Sequence, residues 1–280
     1  MRGLKNCLTK EKLLYLQQTN GGLNMDAKTI NKQLKDLYDQ WLNKDLANKY
    51  DIKEYTYPVL MKCNSEYCNS KTKILFIEKE TKDWFSGNDG YKSTPKSRTL
   101  YNINTLMDWY DLFNENLSRK ESSTDYFEKI MVKTTKEVNS KFDCLWTSML
   151  KIKRSLQKFP TRKELYYCED VNISILSREI EVTNPDVIVF VTASSNNNDL
   201  TLIKYVLGTD PLFIPIKGNN QVFLVTNQEI NKLIVRMPNY SSQLNTMFQT
   251  ISTLIKENSN ANKYQTVKFQ NSQVNQYQYF

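Results

Sequence analysis

No histidine occurs anywhere in the 280 residues, and that absence removes more chemistry than any other feature of the chain. Ser-His-Asp triads, Cys-His dyads, His-ligated zinc and every mechanism with imidazole as acid, base or electrophile are excluded. Catalysis, if there is any, must use carboxylates, lysine, hydroxyls, thiols or backbone groups. Glycine is also scarce, with seven in the whole chain. Neither GxGxxG nor GxxxxGK[ST] appears, which argues against a dinucleotide or P-loop site and leaves no nucleotide cofactor to expect. Long apolar runs are missing too: the longest, VIVFV at 187–191, is far too short to span a bilayer. The N-terminus MRGLKNCLTKEKLL carries charges where a secretory signal would be apolar. The expectation is a cytoplasmic protein with no membrane partner. Five cysteines, an odd number, fit a reducing compartment. Cys63 and Cys68 match no strong zinc spacing, and no metal is expected.

What is present is basic charge and a regular alternation of patterns. The formal net charge is +8 and the pI about 9.0, compatible with a polyanionic partner without requiring one. Residues 26–46 place Ile30, Leu34, Leu37, Tyr38, Trp41 and Leu42 at helical spacing. A polar, loop-like stretch at 63–72 leads to a strand from Lys73. Residues 85–100, rich in Gly, Asn, Asp, Pro and Ser, read as a long exposed ligand loop or lid. Helical patterns follow around 106–117 and 125–139, then a buried strand in FDCLWTSML (142–150) and a helix marked by Ile173, Leu176 and Ile180 that TNPD stops. VIVFVTAS is the clearest buried strand. The helix DLTLIKYVL, a hairpin around Gly-Asn-Asn in LFIPIKGNNQVFLVT, the strand KLIVRM and an amphipathic helix over 244–255 complete the pattern.

Strands alternating with helices in this way predict an α/β three-layer sandwich, with a central, mainly parallel four-stranded sheet flanked by helices. The predicted organisation is an N-terminal helical extension (1–56), an α/β domain (57–257) and a polar tail rich in Asn, Gln and Tyr (258–280). In a parallel sheet the strand ends EKETKDW (78–84), TSMLKIKR (147–154), TASSNNN (192–198) and RMPNYSS (236–242) share one rim. The first packs Glu78, Lys79, Glu80, Lys82 and Asp83 around one threonine where a plain turn would use Gly, Pro, Asn or Ser. Charge at the C-terminal end of a parallel strand marks the place where ligands bind in open α/β sheets.

Taken together, ILFIEKETKDW, CLWTSMLK, NPDVIVFVTAS and VRMPNYSS resemble, in order and strand context, the motifs of the uracil-DNA glycosylase superfamily, in its branch of uracil-DNA glycosylase-like bacterial proteins. The resemblance covers roughly residues 57–256. It implies a cofactor-free N-glycosidic bond hydrolase, if the site is active. In that family the first motif turn supplies a carboxylate that positions the attacking water; here Glu78 stands at the glycine position, Lys79 next and Glu80 at the carboxylate position. Ser148 takes the place of a base-reading Asn. Met237-Pro238 stands where the family has His-Pro.

Cleaving an N-glycosidic bond develops positive charge on the sugar and negative charge on the base, so a carboxylate and donors are both needed. Glu80, with Glu78, is the candidate for the first. Lys79, Ser148, Asn239 and backbone N–H groups are candidates for the second. Trp84, Phe85 and Tyr91 lie in the right segments to stack a flipped base. Tyr240 is the candidate wedge, Ser241 and Ser242 meet phosphate at a helix start, and Lys151, Lys153 and Arg154 track the DNA backbone. A smaller Ser148 points to a modified or damaged base; modified phage DNA is one source, which would make the protein an antiviral defence factor. Two alternatives stand beside this reading: a catalytically inactive DNA-binding or regulatory module, and an interaction protein whose tail engages a protein partner.

Overall fold

The computed structural model describes residues 25–46, 57–80, 102–119, 125–151, 175–192, 197–208, 210–216, 219–226, 232–238 and 244–260. The first helix, α1 (Ala27–Tyr38), starts where the Asp26 carboxylate accepts the Thr29 N–H at 2.7 Å, the usual N-cap arrangement. Ile30, Leu34 and Tyr38, spaced by four, are all buried. The chain continues as a π-helix, Asp39–Leu46, which adds Trp41 and Leu42 to the same core. The polar stretch expected to be loop contains a single-turn helix, α2 (Ser65–Cys68), because the Asn64 side chain caps it by accepting the Tyr67 N–H at 2.8 Å.

The remaining elements follow the predicted alternation: β1 (Ile74–Glu80), α3 (Ile103–Arg119), α4 (Tyr126–Asn139), β2 (Leu145–Leu150), α5 (175–183), β3 (Val187–Thr192), α6 (Asn197–Leu207), β4 (Leu212–Ile216), β5 (Asn219–Thr226), β6 (Leu233–Pro238) and α7 (Leu244–Asn260). α5 stops at Asn184, which takes φ 42° and donates its N–H to Ile180 O at 3.0 Å. Asn tolerates this left-handed conformation, and Pro185 behind it prevents continuation. α7 extends to Asn260, past the predicted start of the polar tail at 258.

The described strands join one sheet in the order β2-β1-β3-β6-β5-β4. β1, β2, β3 and β6 are mutually parallel. The predicted four-stranded core is therefore present, but the sheet has six strands. The β4–β5 hairpin pairs antiparallel to β6 because β5 carries Val222 and Val225, both buried, which an isolated hairpin would leave in water. β4 forms the edge, and Pro215, which lacks an N–H, sits there beside a register shift. β2 and β3 are buried at every residue, as parallel strands covered on both faces must be.

Consecutive residues of β2 identify the two covering layers. Trp146 packs against Tyr110 and Phe113 of α3 and Phe127 of α4, whereas Thr147 meets Glu179 of α5. α7 lies with α4, through Tyr126 to Met247 and Lys133 to Asn245. α6 lies with α5, through the Ser177 hydroxyl to Val206 O at 3.0 Å. Among the described residues no helix is long and apolar enough to cross a membrane. α4, the middle helix of its layer, depends on its cap: the Asp125 carboxylate accepts from Phe127 N at 2.8 Å and Glu128 N at 3.2 Å. Asp125→Ala is expected to cost about 1 kcal/mol in urea unfolding. An unchanged midpoint would show that the cap contributes nothing.

Candidate functional site

Residues paired across neighbouring parallel strands point to the same face, and successive residues alternate. The register pairs Glu78 with Ser148 and Val191, and Ile77 with Thr147 and Phe190, which in turn pairs with Arg236. Glu78 and Ser148 therefore face the α3, α4 and α7 layer. Thr147, Arg236 and, by alternation, Lys79 face the α5 and α6 layer.

The chain leaves β1 toward α3 on one face and β3 toward α6 on the other, and β1 and β3 are neighbours. Their C-terminal ends thus form the topological switch point where open α/β sheets bind ligands. An ion pair spans it: Lys79 Nζ lies 3.0 Å from Asp199 Oδ1 in the first turn of α6, with Asp199 fully buried and Lys79 28% exposed. Asp199 also complements the positive end of the α6 dipole. On β6, Arg236 donates from Nε to Thr192 Oγ1 at 3.1 Å and holds its guanidinium 5.3 Å from the centre of the Phe223 ring. Burial disfavours the Arg236 charge, and Asp199 opposes that effect. Three strands and one helix start thus supply a lysine that reaches solvent, a buried carboxylate, a hydroxyl and a buried guanidinium.

A second polar cluster lies on the same face beside β2. Lys151, just past the strand end, pairs with Glu179 at 2.7 Å, and both are fully buried. Tyr38 donates its hydroxyl to Glu179 Oε1 at 2.5 Å and accepts the Met61 N–H at 3.1 Å. Thr147 Oγ1 lies 3.4 Å from Glu179 Oε2 and also bonds Lys151, whose Nζ is 3.5 Å from Val59 O. Burial raises the Glu179 pKa and Lys151 opposes it, while burial lowers that of Lys151 and Glu179 opposes it. Tyr38 is pushed well above the phenol range, by burial first and by the Glu179 charge second.

Several expectations change against this geometry. Lys151 is removed from the DNA backbone track: with no exposed surface and its ammonium held by Glu179, it cannot reach a phosphate. Ser148 is wholly buried, and its hydroxyl donates to Leu150 O at 3.2 Å, so it touches no ligand unless the rim opens. Lys79 faces the opposite layer from Glu78, so the carboxylate candidate and the donor candidate do not share a face. Glu78 is half-buried. Glu80 closes β1 opposite Leu150, and its side chain lies outside those described. Trp84, Phe85, Tyr91, Lys153, Arg154, Asn239, Tyr240, Ser241 and Ser242, with the 85–100 loop, also lie outside the described residues.

The residues missed from the sequence are Tyr38, Thr147, Glu179, Thr192, Asp199 and Arg236. Two carried a legible signal. Glu179 falls in the buried stripe Ile175, Leu176, Glu179, Thr183 of α5, and Arg236 interrupts the apolar strand LIVRM. A charge inside an apolar stripe is buried by its neighbours and must find a partner. Neither a protein-family model nor a curated protein matches the chain.

Proposed function

We propose that the chain is a DNA-binding protein of the uracil-DNA glycosylase-like superfamily, with its ligand site on the C-terminal rim of the parallel sheet and hydrolysis of an N-glycosidic bond as its reaction. The observation that carries the reading is the convergence of β1, β2, β3 and β6 on one rim. The segments quoted for the resemblance are these four strands and their ends, in the same order. The net charge of +8 favours a polyanionic partner. In this reading Glu80 orients the attacking water, and Lys79, a switch-point cation with solvent access on the other face of the strand, meets an anionic group of the substrate. The substrate is a modified or damaged base, modified phage DNA being one source, and the protein acts in the cytoplasm.

A second reading, a DNA-binding module without catalysis, is favoured by one observation. Ser148 and Met237, at the positions of the family's base-reading Asn and its His, are both wholly buried. The test uses duplexes and single strands carrying uracil, hypoxanthine, and hydroxymethylated or glucosylated cytosine, with abasic sites scored by alkaline cleavage. The expected result is cleavage of at least one substrate, lowered about 10²-fold or more in Glu80→Gln. Binding without cleavage across the panel would favour the second reading. Absence of both binding and cleavage would overturn both.

A further inference from the structure

Cys63 and Cys68 take no part in the rim, yet their sulfurs lie 3.3 Å apart in the folded chain. Each is a free thiol, 3% and 8% exposed. The approach is imposed from both sides. Asn31 of α1 clamps the Cys63 backbone, donating from Nδ2 to its carbonyl at 2.8 Å and accepting its N–H at 2.7 Å. At the other end, Tyr67, beside Cys68, is fully buried, with its N–H on Asn64 and its hydroxyl donating to Thr183 O at 3.2 Å. The single turn of α2 between these anchors leaves the two thiols facing each other.

We propose that Cys63 and Cys68 form an oxidation site, a dithiol that closes to an intrachain disulfide on reaction with a hydroperoxide. Cys68, the more exposed of the two residues, attacks the peroxide through its sulfur as thiolate. The O–O bond breaks, the alcohol or water leaves, and Cys68 becomes a sulfenic acid. The Cys63 sulfur then attacks the Cys68 sulfur, and its proton leaves with the displaced hydroxide as water. Two thiols and one hydroperoxide become one disulfide, one alcohol and one water, with two electrons passing from sulfur to peroxide oxygen. Going from 3.3 Å to the roughly 2.05 Å of an S–S bond needs only about an ångström of side-chain motion. Burial, with the neighbouring thiol, keeps Cys63 protonated well above the ordinary thiol range, so it enters the closing step as the thiol. The bond would stiffen the segment that also carries Val59 and Met61, the backbone partners of Lys151 and Tyr38.

The test uses the full chain, hydrogen peroxide in steps from one equivalent, denaturation, alkylation with iodoacetamide, and cleavage after lysine. Lys62 and Lys71 bracket both cysteines, so they appear in one peptide, CNSEYCNSK. The expected product is that peptide unalkylated and about 2 Da lighter than its dithiol form, reverting with dithiothreitol. Cys144, buried and pushed up to about 12 by that burial, serves as an unreactive reference. In Cys68→Ser the light peptide is absent and Cys63 alkylates fully. Alkylation of both sulfurs at every dose would overturn the proposal and reduce the contact to a shared S–H···S hydrogen bond. Accumulation of sulfinic acid, or linkage of Cys63 or Cys68 to any other cysteine, would also overturn it.

Discussion

Lys151→Met is expected to destabilise the protein by about 3–5 kcal/mol at pH 7, the usual cost of removing one partner from a buried ion pair. Among the described residues Glu179 would keep Tyr38 and Thr147 as side-chain partners, in a site with no solvent access. The loss depends on pH, and its sign follows from the direction of the shift. Burial already raises the Glu179 pKa above its ordinary value of 4.5, and removing the opposing lysine raises it further. Between the unfolded and folded pKa values the folded variant binds more protons than the unfolded chain, so its stability falls as pH rises through that window. Lys151→Met should therefore lie closer to the wild type near pH 5 than at pH 7 in urea unfolding. Lys151→Met combined with Glu179→Leu should recover most of the loss, because no charge is then left buried in that cluster. A single variant as stable as the wild type at pH 7 would mean that Glu179 is neutral in the native protein.

Trp146→Ala is expected to cost about 3–5 kcal/mol, the range for deleting a large buried aromatic. Trp146 is 1% exposed, lies 5.4 Å from Tyr110 and 4.9 Å from Phe113 between ring centres, and donates Nε1–H to Asn114 at 2.8 Å. Its N–H and carbonyl both bond the Tyr110 hydroxyl, so α3 and β2 are tied at one point. The same strand carries Thr147 and runs into Lys151. Amides of β2 should accordingly exchange faster in the variant than those of β5, which packs elsewhere in the sheet. Uniform acceleration across all strands would show that the loss is global and that Trp146 does not hold β2 in particular.

The fold was legible because its signals are local. VIVFV is an uninterrupted apolar run and LWTSML a nearly continuous one, as strands covered on both faces require, and the stripe of α1 repeats at helical spacing. Such patterns follow from backbone periodicity, and they sufficed for the parallel core and its flanking helices, though not for the single turn of α2, which depends on its Asn64 cap. The place of the hairpin in the sheet was not legible. LFIPI and VFLVT predict a hairpin whether or not it pairs with β6, and only the need to cover Val222 and Val225 decides that it does.

For the site, the sequence by itself determined which chemistry is excluded, by the lack of histidine and of glycine-rich phosphate loops, and that β1 ends in charge. Only the tertiary structure decided which of those charges meet. Alternation separates Lys79 from Glu78, and Asp199 reaches Lys79 from 120 positions further along the chain. Lys151 looked like a surface cation because it opens a basic cluster, yet Glu179 and Tyr38 draw it inside. The physical reason is that a lone charge obeys no periodicity. Its position depends on a partner, and partners are brought together by strand register and helix packing, from 28 positions away for Lys151 and Glu179 and from 120 for Lys79 and Asp199.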